Sequence, residues 1–174
     1  MFDPTAYENF KVIIEGSVYD YDFTGDIKVV NRSELIDLAV LSRQFTMSFI
    51  IPDYSRLIGS IVLRASLNEL AGEILEEDDT KAAAKVILQF AYHSSTLATI
   101  EKAESIKKCL LNIWGEDRHV SFISSQHFTD GQHSHYSNEV TVSFNRMVRE
   151  DLADDLYELP KYMMESLQAL RKHI

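Results

Sequence analysis

Three of the chain's six histidines, His127, His133 and His135, crowd into QHFTDGQHSHYSNE, residues 126–139. Imidazole nitrogens are ordinary zinc ligands, with metal–nitrogen bonds of about 2.0–2.1 Å. A divalent metal such as zinc held by these three residues, with Asp130 or Glu139 adding a carboxylate, is the most specific chemistry on offer. Water on such a metal could act as the nucleophile of a hydrolase. The spacing is a weak signature, however, because no HExxH and no paired CxxC accompanies it. The competing reading is that a hairpin's solvent face took polar residues and these happened to be histidines.

The elements that must hold the histidines decide where they point. Val120, Phe122 and Phe128 fall on even positions of one apolar run, and Tyr136, Val140, Val142 and Phe144 on even positions of the next. Successive side chains alternate across a strand, so the even set is the buried face. His119, His127, His133 and His135 are all odd and share the wetter face. Burying both even sets requires an odd loop of three or five residues around Asp130-Gly131, and the register then sets His127 opposite His135. His119 falls opposite Ser143, too far along the strand to join them. The wet-face reading is the one favoured.

Other candidate groups carry less. Cys109 lies among Ile106, Leu110 and Ile113 and reads as a small core residue. His93 sits on an apolar stripe and reads as a core histidine. Asp151, Asp154, Asp155 and Glu158 complement a helix dipole more simply than they build a carboxylate site. No G-x-S-x-G context marks a nucleophilic serine.

Pattern along the rest of the chain predicts the following elements. Asp3-Pro4 reads as a short opening turn. Lys11–Phe23 reads as a strand with a bulge near Gly16, and Ile27–Val30 as its return after Thr24-Gly25-Asp26. Asn31 and Glu34 form a capping-box pattern that opens a helix to about Ser42, with Leu35, Leu38 and Leu41 as its apolar stripe. Gln44–Ile51 alternates cleanly, turns at Pro52-Asp53, and returns through Leu57–Ala65, a central strand because it is apolar on both faces. Ser66–Glu69 is a second capping box, opening a helix that carries Leu67, Leu70, Ala71 and Ile74 inward. Glu76–Asp79 reads as a solvated turn. Thr80–Trp114 is read as helix, with an alternative in which Val86, Leu88, Phe90 and Tyr92 alternate as a strand and His93–Thr96 becomes a strand-to-helix loop. Leu152–Ile174 is a final amphipathic helix that Pro160 kinks or splits.

The sum is an α+β fold: a mostly antiparallel sheet of about six strands built from hairpins, with three or four helices packed on it. With 174 residues, 45% hydrophobic and 25% charged, the expectation is one globular domain over 1–174. A net charge of −10 without a Lys/Arg cluster argues against nucleic acid and against anionic membranes. No apolar run reaches the roughly 20 residues of a membrane span. A single cysteine and no signal-peptide pattern point to a reducing, cytoplasmic setting.

The leading functional expectation is a non-enzymatic interaction or regulatory protein that self-associates as a homo-oligomer. It rests on the lack of a convergent catalytic set and on outward apolar residues such as Ile50 and Ile123. No cofactor is expected under this reading. The alternative is a metal-dependent, hydrolase-like enzyme on His127, His133 and His135. A third reading is a small-molecule binding domain with its pocket between sheet and helices.

Overall fold

A computed structural model describes residues 5–69, 83–128 and 135–174. Its elements run α1 (Thr5–Thr24), β1 (Lys28–Asp37), β2 (Ser42–Ile51), β3 (Tyr54–Ala65), β4 (Ala83–Ser94) and α2 (Ile100–Trp114). They continue with β5 (His119–His127), β6 (His135–Ser143), β7 (Val148–Arg149), a 3-10 turn (Glu150–Leu152), α3 (Ala153–Tyr157) and α4 (Leu159–Leu170). The main strand order is β1-β2-β3-β4-β6-β5, every pair antiparallel, with β7 pairing β4 off this path. The fold is α+β, as expected.

Helices α1, α2 and α4 cover one face. Phe45, Met47 and Phe49 of β2, Leu57, Ile61 and Leu63 of β3, and Val86, Leu88 and Phe90 of β4 join their apolar stripes in one buried cluster. Alternation of side chains makes this a strand-period pattern, and the strongest alternators occupy the sheet's centre. As its two-sided hydrophobicity predicts, β3 lies between β2 and β4. On the other face the register aligns Asn31, Ser48, Ser60, Gln89, Thr141 and Ser121 in one polar row across six strands. Ser48 and Ser60 share a 2.8 Å hydroxyl–hydroxyl hydrogen bond within that row.

Several sequence expectations are corrected. Lys11–Phe23 is helix, not strand, and belongs to α1. Tyr7, Phe10, Ile14 and Val18 are buried at helical spacing while Val12, Tyr19 and Phe23 point outward, so a continuous helical stripe overrides the β-propensity of Val, Ile and Tyr. Gly16 makes no bulge; a Cβ there would meet nothing within 4 Å.

Asn31–Ser42 is not a helix but most of β1 and the turn after it. Glu34 spends its carboxylate on tertiary partners rather than on a cap, accepting from Arg43 Nε at 2.8 Å and pairing with Lys11 Nζ at 3.3 Å. Glu8 of α1 completes this group, pairing with Lys11 at 2.6 Å and also with Arg43. Next along the strand, Arg32 pairs with Glu15 of α1. A polar edge strand is thereby tied under a helix by ion pairs that the local sequence does not reveal.

Thr80–Trp114 is not one helix. Ala84, Val86, Leu88, Phe90 and Tyr92 are all buried on one side of β4, and helix begins only at Ile100, where Thr99 Oγ1 accepts from Lys102 N at 3.2 Å. The alternative strand reading of Val86–Tyr92 is the correct one. Finally, Leu67 is exposed, Ile50 is buried, and Phe128 is exposed where parity placed it inside.

Several expectations hold. Ser66 N donates to Glu69 at 2.7 Å, as a capping box requires. The C-terminal helix divides at Glu158, with Pro160 in the first turn of α4, and Leu156, Leu159, Met163, Leu167 and Leu170 are buried at spacings of three and four. Asp3-Pro4, the run Leu70–Ile74, Glu76–Asp79, Asp130-Gly131 and His133 lie outside the described residues.

Candidate functional site

The β5–β6 hairpin sets His127 opposite His135 and His119 opposite Ser143, the register that parity predicts. The rings of His127 and His135 stack with centroids 4.9 Å apart and planes 5° from parallel. His127 Nε2 also hydrogen-bonds Ser137 Oγ at 2.6 Å. Imidazole lone pairs lie in the ring plane, so parallel stacked rings do not aim at a common point. Among the described residues no group of three or more His, Cys, Asp or Glu side chains is placed to hold a metal ion.

The third histidine in contact is one the sequence assigned to a core stripe. His93, near the end of β4, meets the His135 ring edge-on at 5.6 Å. Because β4 is strand rather than helix, its odd position turns His93 away from the core and toward β6, where it pairs with Ser137. Cys109 is half-buried against the core, and burial outweighs nearby Lys172 in pushing its thiol up. Asp155 pairs with Arg146 and Glu158 with Lys161 at the surface.

His93 also lines a groove of about 750 Å³ at the end of the sheet, where β3 stops pairing with β4 at Leu57 while β4 and β6 continue together. Arg56, Tyr92, Lys102 and Asn138 are among its walls. The Lys102 ammonium stands 5.4 Å from the centre of the Tyr92 ring. Tyr92 and Asn138 are directly paired across β4 and β6, on the face toward the helices. Each is nearly fully buried, at 3% and 1% exposure. Among the described residues Tyr92 Oη and Asn138 Oδ1 are buried without a hydrogen-bond partner, an uncommon condition for side-chain polar atoms. Burial raises the Tyr92 phenol above its ordinary value, so it remains an O–H donor.

The orientation of Asn138 follows from its neighbours. Ser94 Oγ lies 2.7 Å from the Thr96 carbonyl, which can only accept, so the serine's one proton is committed there. Ser94 Oγ must therefore accept from Asn138, and it receives Nδ2 at 2.9 Å. That leaves Oδ1 as the unpaired end, facing the need for a donor. Under its strand alternative the sequence marks His93–Thr96 as a strand-to-helix loop, and that polar run closes β4 and leads out of it; Arg56, Lys102 and Asn138 did not stand out.

A second cavity, of about 360 Å³, is walled by Trp114, Phe144 and Tyr162 with Arg118 at its side. Trp114 meets Phe144 edge-on at 5.9 Å, and its Nε1 donates to Ser166 Oγ at 2.8 Å. Comparison with family models, curated protein sequences and solved structures finds no match for this chain. No helix among the described residues is long and apolar enough to cross a membrane.

Proposed function

We propose that the chain is a non-enzymatic interaction protein that self-associates through the β1 edge and the tip of the β1–β2 hairpin. The observation that carries this reading is the exposure of five large apolar side chains between residues 35 and 41. Leu35, Ile36, Leu38, Val40 and Leu41 are each at least half exposed, Leu38 at 80%. Isolated apolar residues on a surface are normal, but several gathered at one sheet edge and its hairpin tip mark an interaction site.

The tip also stores conformational strain. Leu41 has a positive φ of 50°, a region that costs a branched side chain about 1–2 kcal/mol and that glycine or asparagine enters more easily. Strained backbone of this kind concentrates where function requires it.

A second copy of the chain is the fitting partner. Among the described residues β1 borders only β2, so its outer edge presents backbone donors and acceptors that no described strand pairs. Two such edges related by a twofold axis run antiparallel, and each offers the other the same hydrogen-bonding pattern and the same exposed apolar residues. The other edge strand, β5, exposes Ile123 and is followed by exposed Phe128.

Light scattering coupled to size-exclusion chromatography between 1 and 100 µM protein, about the range of ordinary self-association, tests the proposal. The parent should be a dimer at the upper end, and Leu38→Asp/Val40→Lys should be monomeric with an unchanged far-ultraviolet circular dichroism spectrum. A monomeric parent throughout, or a variant that dimerises equally well, would refute it.

A further inference from the structure

The groove at the end of the β4–β6 seam holds an unusual combination of groups. Arg56 and Lys102 bring two cations to it, and neither forms an ion pair with a carboxylate among the described residues. Glu139 supplies a carboxylate on the side where His93 and Ser137 lie. Beside Lys102, Tyr92 offers an O–H and Asn138 an oxygen that can only accept. The α2 N-terminus adds nothing to the site, because Thr99 already satisfies its Lys102 N–H.

Each of these groups selects a part of a ligand. The cations select a carboxylate. The Asn138 oxygen, buried and fixed in place by the Ser94–Thr96 relay, selects a hydrogen-bond donor. Tyr92, adjacent in the same cross-strand pair, is positioned to donate to an oxygen beside that donor. The volume lies within the roughly 300–1,000 Å³ of small-molecule sites.

We infer that this groove binds a small 2-hydroxy- or 2-aminocarboxylate, its carboxylate held by Lys102 beside Tyr92 and its adjacent O–H or N–H donated to Asn138 Oδ1. A simple carboxylate satisfies the cations but leaves the asparagine unpaired, and unpaired buried polar groups are what discriminate most strongly between close analogues. An uncharged alcohol reaches the asparagine but leaves the cations unused. The site is independent of the hairpin tip, which lies on the far edge strand β1.

Two-dimensional ¹H–¹⁵N NMR of the full chain tests this with L-malate, L-lactate and L-serine as probes and propionate as the donor-free control. At least one of the three should shift the Asn138 side-chain amide and the Ser94–Thr96 backbone signals saturably. Propionate should bind at least about tenfold more weakly. Lys102→Gln, at a half-exposed position that does not threaten the fold, should weaken the binding by about tenfold. Asn138→Ala, if folded, should abolish the preference over propionate. The inference is overturned if none of the three probes moves these signals at about 20 mM, a concentration well above weak metabolite affinities. It is equally overturned if propionate binds as well as they do, or if Lys102→Gln binds them as tightly as the parent.

Discussion

Helix α4 packs directly over Gly59 of β3, and enlarging this residue gives a sharp test of the packing. A Cβ at this position would stand 3.0 Å from Met163 Cε and 3.2 and 3.3 Å from the two methyls of Leu167. Carbon pairs attract best at about 3.5–4.0 Å, so all three contacts are too short. Phe49 and Phe90 flank the glycine on the neighbouring strands and leave no sideways relief. Met163 Cε ends a flexible chain and can swing aside, but Leu167 is buried and its two methyls cannot both retreat. Overpacking costs about 1–3 kcal/mol, while removing a glycine restricts the unfolded chain and returns about 0.4–1 kcal/mol. Gly59→Ala should therefore lose about 0.5–2 kcal/mol, a melting point lower by about 2–6 °C for a chain of this size. Leu167→Ala alone should cost about 2–5 kcal/mol, yet the double variant should be about 1 kcal/mol more stable than the sum of the single effects, because the new cavity admits the new methyl. Urea unfolding followed by Trp114 fluorescence measures each term. Gly59→Ala at or above parental stability, or strict additivity in the double variant, would refute the packing argument.

Other outcomes follow from single contacts. Ser166→Ala leaves the Trp114 indole N–H without its partner and should cost about 1–3 kcal/mol, measured by the same urea titration. Burial works to raise the Glu8 carboxyl, but hydrogen bonds from Lys11 and Arg43 outweigh it and hold the group below its ordinary value; its contribution is thus present above the unfolded carboxylate range and lost as pH falls through the lower folded value. Melting temperatures between pH 6 and pH 3 should accordingly fall less steeply in Glu8→Gln than in the parent, and parallel curves would contradict the assignment. The Cys109 thiol should react several-fold more slowly with a disulfide reagent at neutral pH than an unperturbed thiol, measured by absorbance. Zinc titration should leave the melting temperatures of the parent and of His127→Ala/His135→Ala alike; a zinc-dependent rise confined to the parent would favour the metal reading instead.

Legibility in the sequence followed the range of the forces that decide each element. The two strands of residues 44–65 are legible, apart from the burial of Ile50, because alternation, a Pro-Asp turn and a two-faced apolar strand all act within one hairpin. The β5–β6 register was equally local, so the opposition of His127 and His135 followed from counting. Residues 11–23 and 31–42 were exchanged between helix and strand because their outcome depends on one another: α1 buries its stripe on the sheet, and Glu34 and Arg32 of β1 pair with Lys11 and Glu15 of α1. The groove was hidden for the same reason. Tyr92 and Asn138 meet only through the β4–β6 pairing, and no local pattern connects them.

That pairing has a consequence for how the chain reaches its native state. β1, β2 and β3 form a meander, and β5 and β6 form a hairpin, so both units can zip by short loop closures. β4 joins β6 rather than the sequence-adjacent β5, and this closure is the longest along the main strand order, with the greatest entropic cost to be met before any contact rewards it. The seam is therefore the natural late event of folding, and the Tyr92–Asn138 pair comes into existence only when it closes.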